Sequence, residues 1–228
     1  MRHGSAGREA EEFVPNAGTC PGVDEQVTTL SVSEVARAFG RHEVLRAVSF
    51  AVRRGEMVGI VGENGAGKST LLKIIAGLLR PSRGRVDVRG RIGYCPQDPQ
   101  VHLGLTVAHN LEWFRTAYRL GTVRRAEALM DVLALSQNRN RLVSDLSGGT
   151  RQKLNLVLAL MHDPDILLLD EPYQGFDWET YLRFWGLAEE FRRAGRVIVI
   201  ISHLFFERTR FDTLLRLHDG VITPEVRS

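Results

Sequence analysis

A chain of 228 residues, 43% hydrophobic and 25% charged, suits a single globular domain with a sizeable core. A net charge of +3, with no block of like charge and no basic face interleaved with aromatics, argues against direct nucleic-acid binding. Two distant cysteines, Cys20 and Cys95, fit reduced thiols rather than a disulfide framework, and no apolar run approaches the ~18–20 residues that span a bilayer.

The opening MRHGSAGREAEEF has no apolar stretch of the kind that forms a secretory signal. Residues 1–26, rich in Gly, Pro, Ala and acidic groups without a sustained period, read as a flexible tail. From Val27 the segments VTTLSVSEVARAF and VLRAVSFAVRRG alternate as half-exposed antiparallel strands do. MVGIV (57–61) is a short buried strand, and STLLKIIAGLL after it is a helix expected to stop at Pro81. RVDVRG and RIGYCPQ give two further short strands.

From about Asp98 to Val143 the period becomes helical, in TVAHNLEWFRTAYRL and VRRAEALMDVLAL, which predicts an inserted helical subdomain. A helix from Thr150 to about His162 is apolar nearly all round and therefore buried. DILLLD (165–170) and RVIVIIS (196–202) are buried strands flanking the helix ETYLRFWGLAEEFRRAG. This alternation predicts a largely parallel sheet with helices on both faces.

Gly62, Glu63, Asn64, Gly65, Ala66, Gly67, Lys68, Ser69 and Thr70 match G-x-x-x-x-G-K-[ST] between a buried strand and a helix. Such glycines let backbone amides converge on phosphate oxygens at a helix N-terminus, while Lys68 reaches the outer phosphates and Ser69 can ligate Mg²⁺. Lysine occurs at three positions in a chain otherwise reliant on arginine, and one of them falls here. Asp170 ends a strand beside this loop, where it can hold Mg²⁺. Glu171 next to it is placed to deprotonate a water attacking phosphate. His203 emerges at the same sheet edge as a candidate phosphate sensor, and Gln97 opens the helical insertion as a candidate contact to Mg²⁺ or the attacking water. Ser147, Gly148 and Gly149, in LSGGT, open another helix and make a second anion cradle.

In this order the motifs GENGAGKST, YCPQ, LSGGT, ILLLDEP, YQGFD and IISH closely resemble those of the ABC-type ATPases, over about Val27 to Ile222. The resemblance implies an α/β fold: a P-loop NTPase core with a mainly parallel sheet, an antiparallel β subdomain and an inserted α-helical subdomain at about 98–150, all within 27–228. It implies Walker A at Gly62–Thr70, a Q-loop at Gln97, the signature at Leu146–Thr150, a Walker B pair at Asp170 and Glu171, a D-loop at Asp177 and a switch at His203. Phe39 falls where the family stacks an aromatic on adenine. Thr150 stands where glutamine is usual, Tyr173-Gln174 replaces a small or polar pair, and Phe176 replaces leucine. Each departure leaves the catalytic groups intact.

The cofactors so implied are ATP and Mg²⁺, and the partners are a membrane-spanning permease and a second ATPase subunit in a head-to-tail dimer, placing the chain on the inner face of the cell membrane. LTV-x-x-N-L, in LGLTVAHNL, resembles a segment of drug- and lipid-type exporters. The competing reading is a soluble member acting on ribosomes or nucleic acid. Its ribosomal form carries two such units in one chain, and its chromosome-associated form carries a long coiled coil between Walker A and signature. Neither feature is present here.

Overall fold

The computed structural model describes residues 28–202 and 205–225; the tail expected over 1–26 and the candidate sensor His203 lie outside the described residues. In chain order the elements are β1 (Thr28–Phe39), β2 (His42–Arg53), β3 (Met57–Val61), α1 (Lys68–Ile75), β4 (Arg83–Val88), β5 (Ile92–Cys95), α2 (Val107–Ala117) and α3 (Arg124–Val132). There follow α4 (Gly148–Leu160), β6 (Ile166–Asp170), α5 (Trp178–Arg193), β7 (Val197–Ile201), β8 (Thr213–His218) and β9 (Val221–Pro224). The antiparallel sheet runs β2-β1-β4 and the larger sheet β5-β6-β7-β3-β8-β9, parallel throughout except for the β8–β9 pair.

Strands β3, β6 and β7 are buried at every residue, as a parallel sheet covered on both faces requires. Their side chains alternate between two cores. Leu167, Leu169, Ile198 and Ile200 pack with α4 and with Phe184 and Trp185 of α5. Ile166, Leu168, Val197, Val199 and Ile201 pack with α1 and with Leu45, Val48 and Val52 of the antiparallel sheet. Leu111 of α2 and Met130 of α3 join the first core, so the helical insertion is seated on α4 rather than separate from it. This is the α/β architecture expected from the motifs.

Three local expectations differ from the structure. Helix α1 stops at Ile75, short of Pro81, because Gly77 takes a left-handed conformation (φ 74). The Gly77 amide donates to the Ile74 carbonyl at 3.0 Å and the Leu78 amide to the Lys73 carbonyl at 2.9 Å, a Schellman closure. Helix α4 begins at Gly148, two residues before the expected Thr150, because Ser147 caps it. Strands β8 and β9 were not anticipated; they form a hairpin across Asp219 (φ 48) and Gly220 (φ 75), a turn that needs two left-handed residues in succession.

Behind α4, His162 is buried, with Nε2 3.0 Å from the Ile92 carbonyl and its ring 4.4 Å from that of Tyr118. Burial pulls its pKa below the ordinary 6.5, against the pull of the Ile92 carbonyl. The unfolded chain therefore takes up the proton first, and the stability this group contributes is full above that value and lost as pH falls below it. Between about pH 7 and pH 5 the melting temperature should fall by a few degrees, and by less in His162→Gln. Equal slopes for the two proteins in a pH series of thermal melts would exclude His162 as the source. Asp163 beside it takes an ion pair from Arg125 at 2.9 Å and a hydrogen bond from Arg196, which hold its carboxyl below the usual range.

Candidate nucleotide site

The phosphate loop is built from backbone because side chains do not fit. A Cβ on Gly62 would lie 2.2 Å from the Leu217 carbonyl oxygen, and one on Gly67 (φ 99) would lie 2.9 Å from the Val44 side chain. Within the loop the Ala66 amide donates to the Glu63 carbonyl at 3.3 Å, closing a turn. Helix α1 then starts at Lys68 with no side-chain cap and no acidic residue in its first turn. Its leading amides and dipole are thus left for an anion.

The Lys68 ammonium, nearly buried, donates to the carbonyls of Gly62 and Glu63 at 2.7 Å each. Burial lowers its pKa, while the Glu171 and Asp170 carboxylates act against that shift. A cavity of about 490 Å³ here is lined by Asn64, Gly65, Gly67, Lys68, Ser69, Thr70, Gln97 and Glu171, together with Val44 of β2. Phe39, at the end of β1, does not line this cavity; it is 49% exposed, with the Arg37 guanidinium 4.6 Å over its ring.

Asp170 ends β6 and is 2% exposed. With Ser69 and Gln97 it lines an adjoining cavity of about 710 Å³. A carboxylate, a hydroxyl and an amide oxygen are the hard donors that suit Mg²⁺. Near them, burial and the Asp170 charge push the Tyr94 phenol and the Cys95 thiol up, which keeps both neutral.

Glu171 has φ 49, a left-handed conformation that costs a side-chain-bearing residue about 1–3 kcal/mol. Its amide continues the sheet by donating to the Ile201 carbonyl at 3.1 Å, and the Gln97 amide nitrogen lies 3.4 Å from Oε2 of its carboxylate. The structure thus brings Gln97, Lys68, Ser69, Asp170 and Glu171 to one edge of the sheet. Tyr173, one of the departures from the family pattern, has a clear local role. Its hydroxyl donates to Ser202 Oγ, joining the loop after Glu171 to the end of β7. Its ring packs among Tyr181, Phe184 and Trp185.

The second cradle faces elsewhere. Ser147 caps α4, its Oγ accepting the Thr150 amide at 3.2 Å and lying 2.8 Å from the Thr150 hydroxyl. Gly148 and Gly149 line a third cavity of about 470 Å³ with Gln97, Gln174 and Gly175, and none of the three signature residues lines the Lys68 cavity. A Cβ on Gly148 would meet nothing within 4 Å, so that side is open, whereas one on Gly149 would strike the Gly175 carbonyl oxygen at 2.0 Å. The turn can receive an anion from outside the chain while its other side is closed against the loop after β6. Sequence reasoning missed Val44, Gly175 and Lys153, whose ammonium lies 3.1 Å from Asp177. The scarcity of lysine was a signal for Lys153.

Residues 45–174 match the family described as ABC transporter. The chain is 35% identical to the Nod factor export ATP-binding protein I of Rhizobium meliloti, over 88% of this chain and 64% of that relative, so it spans somewhat less than two thirds of that protein. It is 38% identical to the zinc import ATP-binding protein ZnuC of Chromohalobacter salexigens, over 86% of this chain and 80% of the relative. Among solved structures it is similar to a dimeric ATP-binding cassette in a post-hydrolysis state bound to ADP and Pi. That match has a TM-score of 0.79 and 25% identity, covering 88% of this chain and 100% of the other.

Proposed function

The chain belongs to the ABC transporter family of ATP-binding proteins, and on that premise we propose that it hydrolyses ATP as the energy-coupling subunit of a membrane transporter. The loop amides and Lys68 hold the β- and γ-phosphates, and Phe39 stacks on adenine. Ser69 and Asp170, with Gln97, hold Mg²⁺, which supplies charge neutralisation on the phosphates. Glu171 is the general base for the attacking water, with Gln97 and His203 reading the γ-phosphate. Ser147, Gly148 and Gly149 cap the ATP held by a second copy of the chain.

The observation that carries this reading is the outward-facing signature turn. It has the open backbone and helix N-terminus of an anion site, yet lines none of its own chain's Lys68 cavity. Two chains in head-to-tail, isologous contact satisfy both cradles. Among the described residues no helix is long and apolar enough to cross a membrane. In this reading the translocation path is therefore a separate permease, which holds the chain at the inner face of the membrane.

The direction proposed is export, on LTVAHNL and the likeness to the Nod factor export protein, while the likeness to the zinc import protein supports the opposite direction. Affinity capture from solubilised membranes should bring down a membrane-spanning polypeptide; recovery of ribosomes instead would overturn the transporter reading. In inside-out vesicles carrying that complex, external ATP should drive compounds of a cell extract into the lumen. ATP-driven loss of preloaded extract compounds would reverse the direction.

A further inference from the structure

The chain leaves β6 through a turn that Glu171 opens. The Gln174 amide donates to the Glu171 carbonyl at 3.3 Å, so Glu171, Pro172, Tyr173 and Gln174 form one β-turn with proline at its second position. The Phe176 amide then donates back to the Tyr173 carbonyl at 3.1 Å. Glu171 enters this turn from the left-handed region, at φ 49. Such a conformation strains a residue that carries a side chain, and it persists only where the surroundings over-determine it. One contact that does so is the backbone bond from the Glu171 amide to the Ile201 carbonyl at 3.1 Å, which ties the turn to β7.

Tyr173 supplies a second tie to the same strand. It is 9% exposed, and its ring meets those of Tyr181 and Phe184 edge-on, with centroids 5.5 and 5.6 Å away. From the end of that ring the hydroxyl donates to Oγ of Ser202, which directly follows β7 and is 2% exposed. A serine or threonine hydroxyl, one bond beyond Cβ, would stop short of Ser202. The aromatic residue that departs from the family pattern is thus the one that closes this contact.

We propose that Tyr173 is a positioning residue for Glu171. Its ring in the core and its hydroxyl on Ser202 hold the turn against the strain at Glu171, and so fix the carboxylate where it lines the Lys68 cavity beside Gln97. Without the hydroxyl the turn can relax about its backbone bond to Ile201. The carboxylate then loses its alignment with the attacking water, while every group that holds phosphate stays in place. This inference rests on the reading of Glu171 as the base, and its consequence falls on turnover rather than on nucleotide binding.

The test compares Tyr173→Phe, Ser202→Ala and the Tyr173→Phe/Ser202→Ala double variant with wild type, and repeats Tyr173→Phe in a Glu171→Gln background. Tyr173→Phe removes the hydroxyl and keeps the ring. It should lower kcat about fivefold while KM and ATP affinity stay within about twofold. Ser202→Ala should lower kcat to a similar level and also lower the melting temperature, because it sets a methyl against a buried hydroxyl. The double variant removes both polar groups, so its melting temperature should rise again while its kcat stays at that of the slower single variant. A residue acting through Glu171 has nothing to position once the carboxylate is gone. In the Glu171→Gln background, Tyr173→Phe should therefore change the residual turnover by less than about twofold. Wild-type kcat in Tyr173→Phe, recovery of kcat in step with melting temperature in the double variant, or the same loss persisting in the Glu171→Gln background would each overturn the proposal. Turnover in Glu171→Gln alone equal to that of wild type would instead overturn the reading of the base, and this inference with it.

Discussion

Replacing Glu171 by Gln is expected to lower ATP turnover at least about a hundredfold while leaving ATP binding intact and the ATP-bound dimer persistent. The substitution keeps the shape of the side chain, so the left-handed backbone at φ 49 and the approach of Gln97 at 3.4 Å survive. It removes the group able to accept a proton from water. Nothing that holds phosphate is lost, because Lys68, Ser69 and the loop amides are untouched. Removing a carboxylate that faces Lys68 also removes a negative charge from beside the γ-phosphate site. ATP affinity should therefore stay equal or rise. On the proposed shared site, where hydrolysis releases the contacts across the nucleotides, the variant should elute as a dimer with ATP and as a monomer without it. Equal multiple-turnover rates for the variant and wild type would remove Glu171 from the role of base.

The parts of this protein that read directly from sequence are those whose chemistry is contiguous. MVGIV, ILLL and VIVII are unbroken apolar runs because each is covered on both faces, and the Walker A loop is nine consecutive residues, Gly62–Thr70. The misreadings have equally local causes. Pro81 is a strong stop signal, but the Schellman closure at Gly77 acts earlier in the chain, and a single capping residue, Ser147, moves the start of α4 forward. The β8–β9 hairpin carries an Asp219-Gly220 signal between strands, which the mixed pattern of TLLRLH obscured. The side chains that sequence could not pair are those joined by the fold. Val44 meets Gly67 from the other sheet, Tyr173 reaches Ser202 across two strands, Gly149 abuts Gly175, and Lys153 finds Asp177. The last two depend on β6 placing the loop after it beside α4, a tertiary relation that no periodicity encodes.

Ser147→Arg is expected to abolish hydrolysis, by about a hundredfold or more, although each chain still binds ATP. Losing the cap of α4 costs about 1 kcal/mol, small against the roughly 5–15 kcal/mol by which domains of this kind are stable. The helix it caps is also held by buried contacts from Leu154 to Leu160, so folding should be retained. What changes is access. The new side chain occupies the open side of Gly148, where an anion would approach, and Ser147 Oγ is lost as a donor there. The arrangement of the two cradles makes a sharper measurement possible. In a head-to-tail dimer of one Ser147→Arg chain and one Lys68→Met chain, one nucleotide site carries both defects and the other carries neither. Two inactive preparations, mixed in equal amounts, should therefore regain about a quarter of wild-type turnover, since half of randomly paired dimers are mixed and each has one intact site of two. If the signature served its own chain's nucleotide, every chain in the mixture would carry a defect, and no mixing ratio would restore turnover.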